Sequence, residues 1–257
     1  MRRVEFIAHR GSSHLAPENT LAAFRLGWRE TTTCELDVRA TADGRLVVVH
    51  DPTTRRTTGR NLVVARQTLA ALQRLDAGAW RGPRWRGERL PTLAHVLAAM
   101  PARKRLLIEV KTGPASVPEL ARVIRASGRA ADVAVQSFHP RTCARAKQAL
   151  PGVPVRLLAS LGTTRRASVR AWARAVAIAA RLGLDGLGVN AAPALDEHAI
   201  AQVRAANWTL HVWTVDDVAT ARRLVRLGVD GIITNRPGWL KSRVPNFASG
   251  ANIFRQN

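Results

Sequence analysis

Short apolar runs alternate with longer amphipathic stretches along almost the whole chain. VEFIAHR (4–10) reads as a strand, and PENTLAAFRLGWRE (17–30) as a helix with Pro17 near its first turn, where a missing N–H costs nothing. CELDVRAT (34–41) alternates as a strand does, and beyond the turn ADGR the run RLVVVHD is a second strand, so the two form one hairpin-like unit. From Pro52 to Arg89 the pattern lapses into an irregular Thr-, Gly- and Arg-rich segment with one clear helical piece, QTLAALQRLD. After that the alternation is regular. Strands are expected at RLLIEVK, DVAVQSF, VPVRLLAS, LDGLGVN, WTLHVWTV and DGIITNRP. Helices are expected at TLAHVLAAM, SVPELARVIRAS, PRTCARAKQAL, RASVRAWARAVAIAARLG, LDEHAIAQVRAAN and DVATARRLVRLG, with GWLKSRV starting a last one.

Strands separated by helices imply a parallel sheet, because a parallel pair needs a long crossover. With the hairpin counted as one unit there are eight βα repeats, which fit a closed (β/α)8 TIM barrel. An open doubly wound sheet would want a Gly-rich dinucleotide loop after an early strand, and none is present. The expectation is one barrel domain over residues 1–257, with a short insertion at about 52–89 lying over the barrel mouth.

Composition adds little to the fold but narrows the setting. Of the 257 residues 46% are hydrophobic, enough for a continuous core and too many for a disordered chain. The two cysteines, Cys34 and Cys143, lie far apart and suggest buried small hydrophobes rather than a disulfide framework. The first strand begins too early to leave room for a signal-peptide apolar region, and no window is long and apolar enough to span a membrane. A soluble, cytoplasmic protein is expected. The formal net charge of +22 would attract phosphate-rich partners. Its arginines are spread throughout, so they read as composition on solvated faces, and no specific nucleic-acid partner is expected.

Polar residues collect at the ends of the predicted strands. His9-Arg10, Glu35, Asp37, His50-Asp51, Glu109, Lys111, Gln136-Ser137-Phe138, Asn190, Trp213 and Thr234-Asn235 all fall there, where a parallel barrel carries its active site. Glu35 and Asp37 are two apart, so they share one face of their strand, and Glu109 and Lys111 repeat the spacing. One such pair alone fits a structural salt bridge, for instance Asp37 with Arg39. Three carboxylates at the mouth repel one another unless a cation joins them; with no cysteine nearby, the ion suggested is Mg2+ or Ca2+ rather than zinc. His14, His95, His198 and His211 read as ordinary, satisfied, partly buried residues. His9 and His50 each end a strand beside a charged neighbour, and two histidines flanking a metal would let one activate a nucleophile while the other protonates a leaving oxygen. Arg10 and Lys111 suit a phosphate.

The ordered set HRG, PENT, ELDV, VVHD, IEVK, QSF and TN resembles the glycerophosphodiester phosphodiesterase family from Ile7 to Pro237. The resemblance implies a (β/α)8 barrel that needs a divalent cation and hydrolyses glycerophosphodiesters to an alcohol and glycerol 3-phosphate. It implies His9 and His50 as the acid/base pair, Glu35, Asp37 and Glu109 on the metal, and Arg10 and Lys111 on the phosphate. Phe138 and Trp213 would line the pocket near the glycerol, and residues 52–89 fall where the family carries its small insertion.

The arginines of that segment (Arg55, Arg56, Arg60, Arg66, Arg81, Arg84, Arg86, Arg89) offer an alternative, a landing surface for anionic lipid with lysophospholipids as substrates of a lysophospholipase D reaction. A phospholipase D of the spider-toxin type is similar at HRG and ExD, but such proteins are secreted and disulfide-stapled. A non-catalytic barrel that binds anions or nucleic acid would have lost a histidine or a metal carboxylate, and all are present.

Overall fold

The computed structural model describes residues 4–244. Its sheet is built from β1 (Glu5–Ala8), β2 (Thr33–Ala40), β3 (Leu46–Val48), β4 (Arg105–Val110), β5 (Val133–Ser137), β6 (Val155–Ala159), β7 (Gly186–Asn190), β8 (Thr209–Trp213) and β9 (Gly231–Thr234). All but β3 are parallel. They close into a ring because Ile7 pairs with Thr33 on one side and Ile233 on the other. The helices are α1 (Leu21–Glu30), α2 (Arg55–Thr58), α3 (Leu69–Gln73), α4 (Leu93–Ala99), α5 (Val117–Ala126), α6 (Pro140–Ala149), α7 (Arg165–Arg181), α8 (Glu197–Ala205), α9 (Val218–Leu227) and α10 (Pro237–Arg243). The expected (β/α)8 barrel is the fold found.

The period of two sorts each strand's side chains into two cores. Phe6, Ala8, Leu36, Val38, Leu106, Ile108, Val133 and Val135 belong to the large cluster shared with the helices. The residues between them, Ile7, Leu107 and Ala134, meet Ile233 in a small cluster inside the barrel. Cys34 and Cys143 are free and buried, as expected. His211 departs from expectation. It is fully buried, and neither ring nitrogen has a hydrogen-bond partner among the described residues. Burial first, and Arg156 second, hold its pKa well below the ordinary value.

Two other local expectations change. The first helix starts at Leu21 rather than near Pro17. Asn19 sits at φ 59°, a left-handed conformation no helix contains, and Thr20 caps the helix by accepting the Ala23 N–H at 3.2 Å. The 52–89 segment is also more ordered than its composition suggested. Besides α3 it holds α2 and single 3-10 turns at Val64–Arg66, Ala79–Arg81 and Pro83–Trp85. Val64, Leu72, Ala77 and Leu90 close it over Val47 and Val49 in a core of its own.

The hairpin is what delivers the second histidine. Val38 pairs with Val48 and Ala40 with Leu46, so β3 runs back down against the barrel direction. The Val49 N–H then donates to the Asp37 carbonyl at 3.0 Å, which sets the next residue, His50, at the level of Asp37. The 52–89 segment is tied to the same end: Ala42 donates to Gln67 O, Leu69 N donates to the Asp43 carboxylate, and Arg81 Nη2 donates to His14 O.

Candidate active site

At the carboxyl ends of the strands a cavity of about 210 Å3 opens. Eight of the nine residues singled out from the sequence line it: His9, Arg10, Glu35, His50, Glu109, Lys111, Phe138 and Trp213. The ninth, Asp37, is buried with the carboxylates beside it. Gln136, Leu158, Thr214 and Ile233 complete the wall. Asn190, another strand-end residue, is not in this lining. Its amide is engaged with the Leu161 backbone.

The acidic group comes from two neighbouring strands in register, with Asp37 of β2 beside Glu109 of β4 and Glu35 one pleat deeper. One oxygen from each of Glu35, Asp37 and Glu109 lies within 4.8 Å of the others, and all three residues are buried. Burial, followed by repulsion from Asp37 and Glu109, pushes Glu35 well above the usual carboxylate range. Burial and Asp37 raise Glu109 to about 7. Burial opposes ionisation of Asp37 too, but Lys111 and Arg10 outweigh it and hold the pKa at about 2. Lys111 Nζ lies 2.6 Å from Glu109 Oε1 and 3.1 Å from Asp37 Oδ1, and Arg10 Nε lies 3.2 Å from Asp37 Oδ2. Arg39 is not the partner of Asp37 considered above; its Nε donates to the His50 carbonyl at 2.7 Å.

The turn after β1 is shaped by this chemistry. Arg10 has φ 54°, and its backbone N–H donates to Glu35 Oε2 at 3.1 Å. Gly11 follows at φ 77°, where an added Cβ would lie 2.5 Å from the Ala23 carbonyl carbon, so only glycine lets the loop rest on α1. The PENT residues lock the turn from outside. Glu18 accepts from Arg10 Nη1 at 2.8 Å, and Asn19 Nδ2 donates to Asp37 Oδ2 at 2.9 Å.

Each histidine has a defined partner. His50 Nδ1 is 2.7 Å from Asp51 Oδ1; Asp51 is held in turn by Arg56 Nε at 2.7 Å, and Arg56 also grips Glu18. His9 Nδ1 is 2.7 Å from Asn235 Oδ1. The Asn235 Nδ2 faces the Asp216 carboxylate at 2.5 Å, and because a carboxylate only accepts, the amide oxygen must face His9. Both imidazoles therefore donate from Nδ1, which leaves Nε2 of each as the nitrogen that can take up or give a proton. Burial, then the Arg10 charge, lowers His9 to about 4. Burial lowers His50 as well, against the opposing pull of Asp37 and Asp51. Phe138 and Trp213 meet edge to face, with centroids 5.5 Å apart.

Glu18, Asn19, Asn235 and Asp216 were given no role from the sequence. PENT and TN were visible as motifs, yet spacing alone could not show what their side chains hold.

Comparison with known proteins agrees with this geometry. Residues 9–239 match the glycerophosphoryl diester phosphodiesterase family. A glycerophosphodiester phosphodiesterase of Caldanaerobacter subterraneus is 35% identical over 90% of this chain and 93% of its own. The barrel resembles a phosphodiesterase of Oleispira antarctica solved with the product sn-glycerol-3-phosphate, with TM-score 0.81 and 25% identity over 94% and 97% of the two chains. A glycerophosphodiester phosphodiesterase structure from Agrobacterium tumefaciens gives TM-score 0.78 at 27% identity, covering 92% and 98%. From its strand-end motifs to its closed barrel, the chain belongs to the glycerophosphoryl diester phosphodiesterase family.

Proposed function

We propose that the protein hydrolyses glycerophosphodiesters to glycerol 3-phosphate and an alcohol, using a divalent cation, Mg2+ or Ca2+, at Glu35, Asp37 and Glu109. The observation that carries this reading is the convergence of three buried carboxylates, two of them lining the cavity, with two histidines and two cations on the same wall. Similarity to the Oleispira phosphodiesterase, solved with its glycerol 3-phosphate product, supports the substrate class.

The carboxylates fit a hard ion. They supply oxygen only, lie within 4.8 Å of one another, and two of them have pKa values raised by burial and mutual repulsion, which a cation relieves. Bound there, the ion would neutralise charge on the phosphoryl oxygens. Arg10 and Lys111, which otherwise serve Asp37 and Glu109, then turn to the phosphate. The attacking oxygen, from water or from the substrate's own 2-hydroxyl, gives its proton to His9 Nε2, because a histidine with a pKa of about 4 is neutral at neutral pH. As that oxygen bonds to phosphorus, the bond from phosphorus to the alcohol oxygen breaks; where the 2-hydroxyl attacks, the product is a cyclic phosphodiester, which a second attack by water opens to glycerol 3-phosphate. His50 delivers the proton the alcohol oxygen needs, and Asp51 stabilises the imidazolium beforehand. Phe138 and Trp213 offer the apolar wall for the glycerol carbons.

Phosphorus NMR of glycerophosphocholine incubated with the protein tests the reading. Conversion to glycerol 3-phosphate is expected with Mg2+ or Ca2+ and none with EDTA. Absence of conversion under every cation would overturn it.

A further inference from the structure

The pocket end of the barrel carries a surface that the chemistry of the site does not use. Among the described residues five large hydrophobic side chains are exposed; three of them, Leu15, Val63 and Trp80, at 40 to 48%, lie in the segments that follow β1 and β3, and a fourth, Phe138, belongs to the pocket wall. The fifth is Val169 on α7. Trp80 is brought beside the loop that carries Leu15 because its neighbour Arg81 donates to the His14 carbonyl. The Trp80 indole N–H is already satisfied by the Ala77 carbonyl at 2.9 Å, so the ring offers its apolar face without an unmet donor.

The segment that carries Val63 and Trp80 is strongly basic. Residues 52–89 contain nine arginines and no lysine, against two carboxylates, Asp76 and Glu88. Asp76 accepts the backbone N–H groups of Gly78, Ala79 and Gly87, and Glu88 accepts that of Ala22, so both carboxylates serve the backbone. Arg56 is committed to Glu18 and Asp51. Arg55, Arg60, Arg66 and Arg86 are exposed and make no ion pair among the described residues.

We infer that this rim docks the protein on an anionic phospholipid bilayer with the pocket facing the lipid. Apolar tips set among unpaired arginines match such an interface, where the tips enter the headgroup layer and the guanidinium groups meet lipid phosphates. A nucleic-acid duplex would engage the arginines but leave Leu15 and Val63 in water. The inference stands apart from the hydrolytic reading, since no rim residue used for it reaches the carboxylates or histidines.

Co-sedimentation with phosphatidylcholine vesicles, with and without phosphatidylglycerol, tests it on the full chain. Wild type should partition onto the anionic vesicles at least about tenfold more strongly, and less so as salt rises. The pair Arg60→Glu/Arg86→Glu should weaken that binding by roughly tenfold or more, and the pair Leu15→Ser/Trp80→Ser should weaken it clearly at unchanged charge. Unchanged thermal midpoints show that the variants fold, whether or not the protein turns over a substrate. Equal binding to neutral and anionic vesicles would overturn the inference, as would full binding by the Leu15/Trp80 pair. Preference for duplex DNA over anionic vesicles at equal phosphate, lost in the arginine pair alone, would assign the surface to nucleic acid instead.

Discussion

His9 rests on Asn235, whose amide is oriented by Asp216 and whose Oδ1 also accepts from Ser13 Oγ at 2.8 Å. Asn235→Ala removes the acceptor that fixes the His9 tautomer, and a loss of roughly 10- to 100-fold in kcat with little change in KM is expected. Asn235→Asp keeps an acceptor but places a carboxylate against His9. The His9 pKa then rises from its low value, and the acid limb of kcat/KM moves to higher pH. An unmoved profile would contradict the role given to the amide. At this scale the sequence gathered the nine candidate residues because each falls on or just after a predicted strand, a position that periodicity exposes. Asn19, Asn235 and Asp216 were opaque for a physical reason. Asn19 acts across 18 residues and Asn235 across 226, and each contact forms only once separate elements meet, β1 with β9 in the case of Asn235.

Among the elements, the hairpin and the PENT turn decide where the site sits. Reading β2 and β3 as one unit was possible from alternation and the turn ADGR. That β3 descends to bring His50 level with Asp37 follows only from the pairing register. The start of α1 was misread because Pro17 satisfies the ordinary rule for a first turn, while the demand of Asp37 for Asn19 overrides it. Thr20 is the N-cap in its place and is fully buried. Thr20→Ala should cost about 1–2 kcal/mol in urea unfolding at unchanged m-value. A loss within a few tenths of a kcal/mol would show that the cap adds nothing to the turn. Apart from the helical piece that holds α3, the 52–89 segment was legible only as irregular, since its small core borrows Val47 and Val49 from the barrel side.

Across the whole molecule, the acidic mouth links folding, protons and cation. Glu109 has a folded pKa of about 7, above the roughly 4.3 of an exposed glutamate. The cation-free protein therefore holds a proton there that the unfolded chain has released. The stability this contributes is fully present below the unfolded value and is lost as pH rises through about 7. A cation needs the ionised carboxylate and competes with that proton, so the rise in Tm on adding Mg2+ or Ca2+ should be larger at pH 8 than at pH 6. Equal shifts at both pH values would count against Glu109 as a ligand. The chain-wide alternation of strand and helix made the barrel itself readable, and no helix among the described residues is long and apolar enough to cross a membrane.

If His9 and His50 work as a base and an acid on one phosphodiester, as proposed, the rate must depend on the leaving group in a defined way. His50→Ala should slow release of choline from glycerophosphocholine by about 10²–10⁴ in saturating cation. It should slow release of p-nitrophenol from the matching glycerophospho ester far less, because that oxygen leaves without a proton. His9→Ala should slow both alike. If His50→Ala impairs the two substrates equally, His50 is not the acid and the account of the site is wrong.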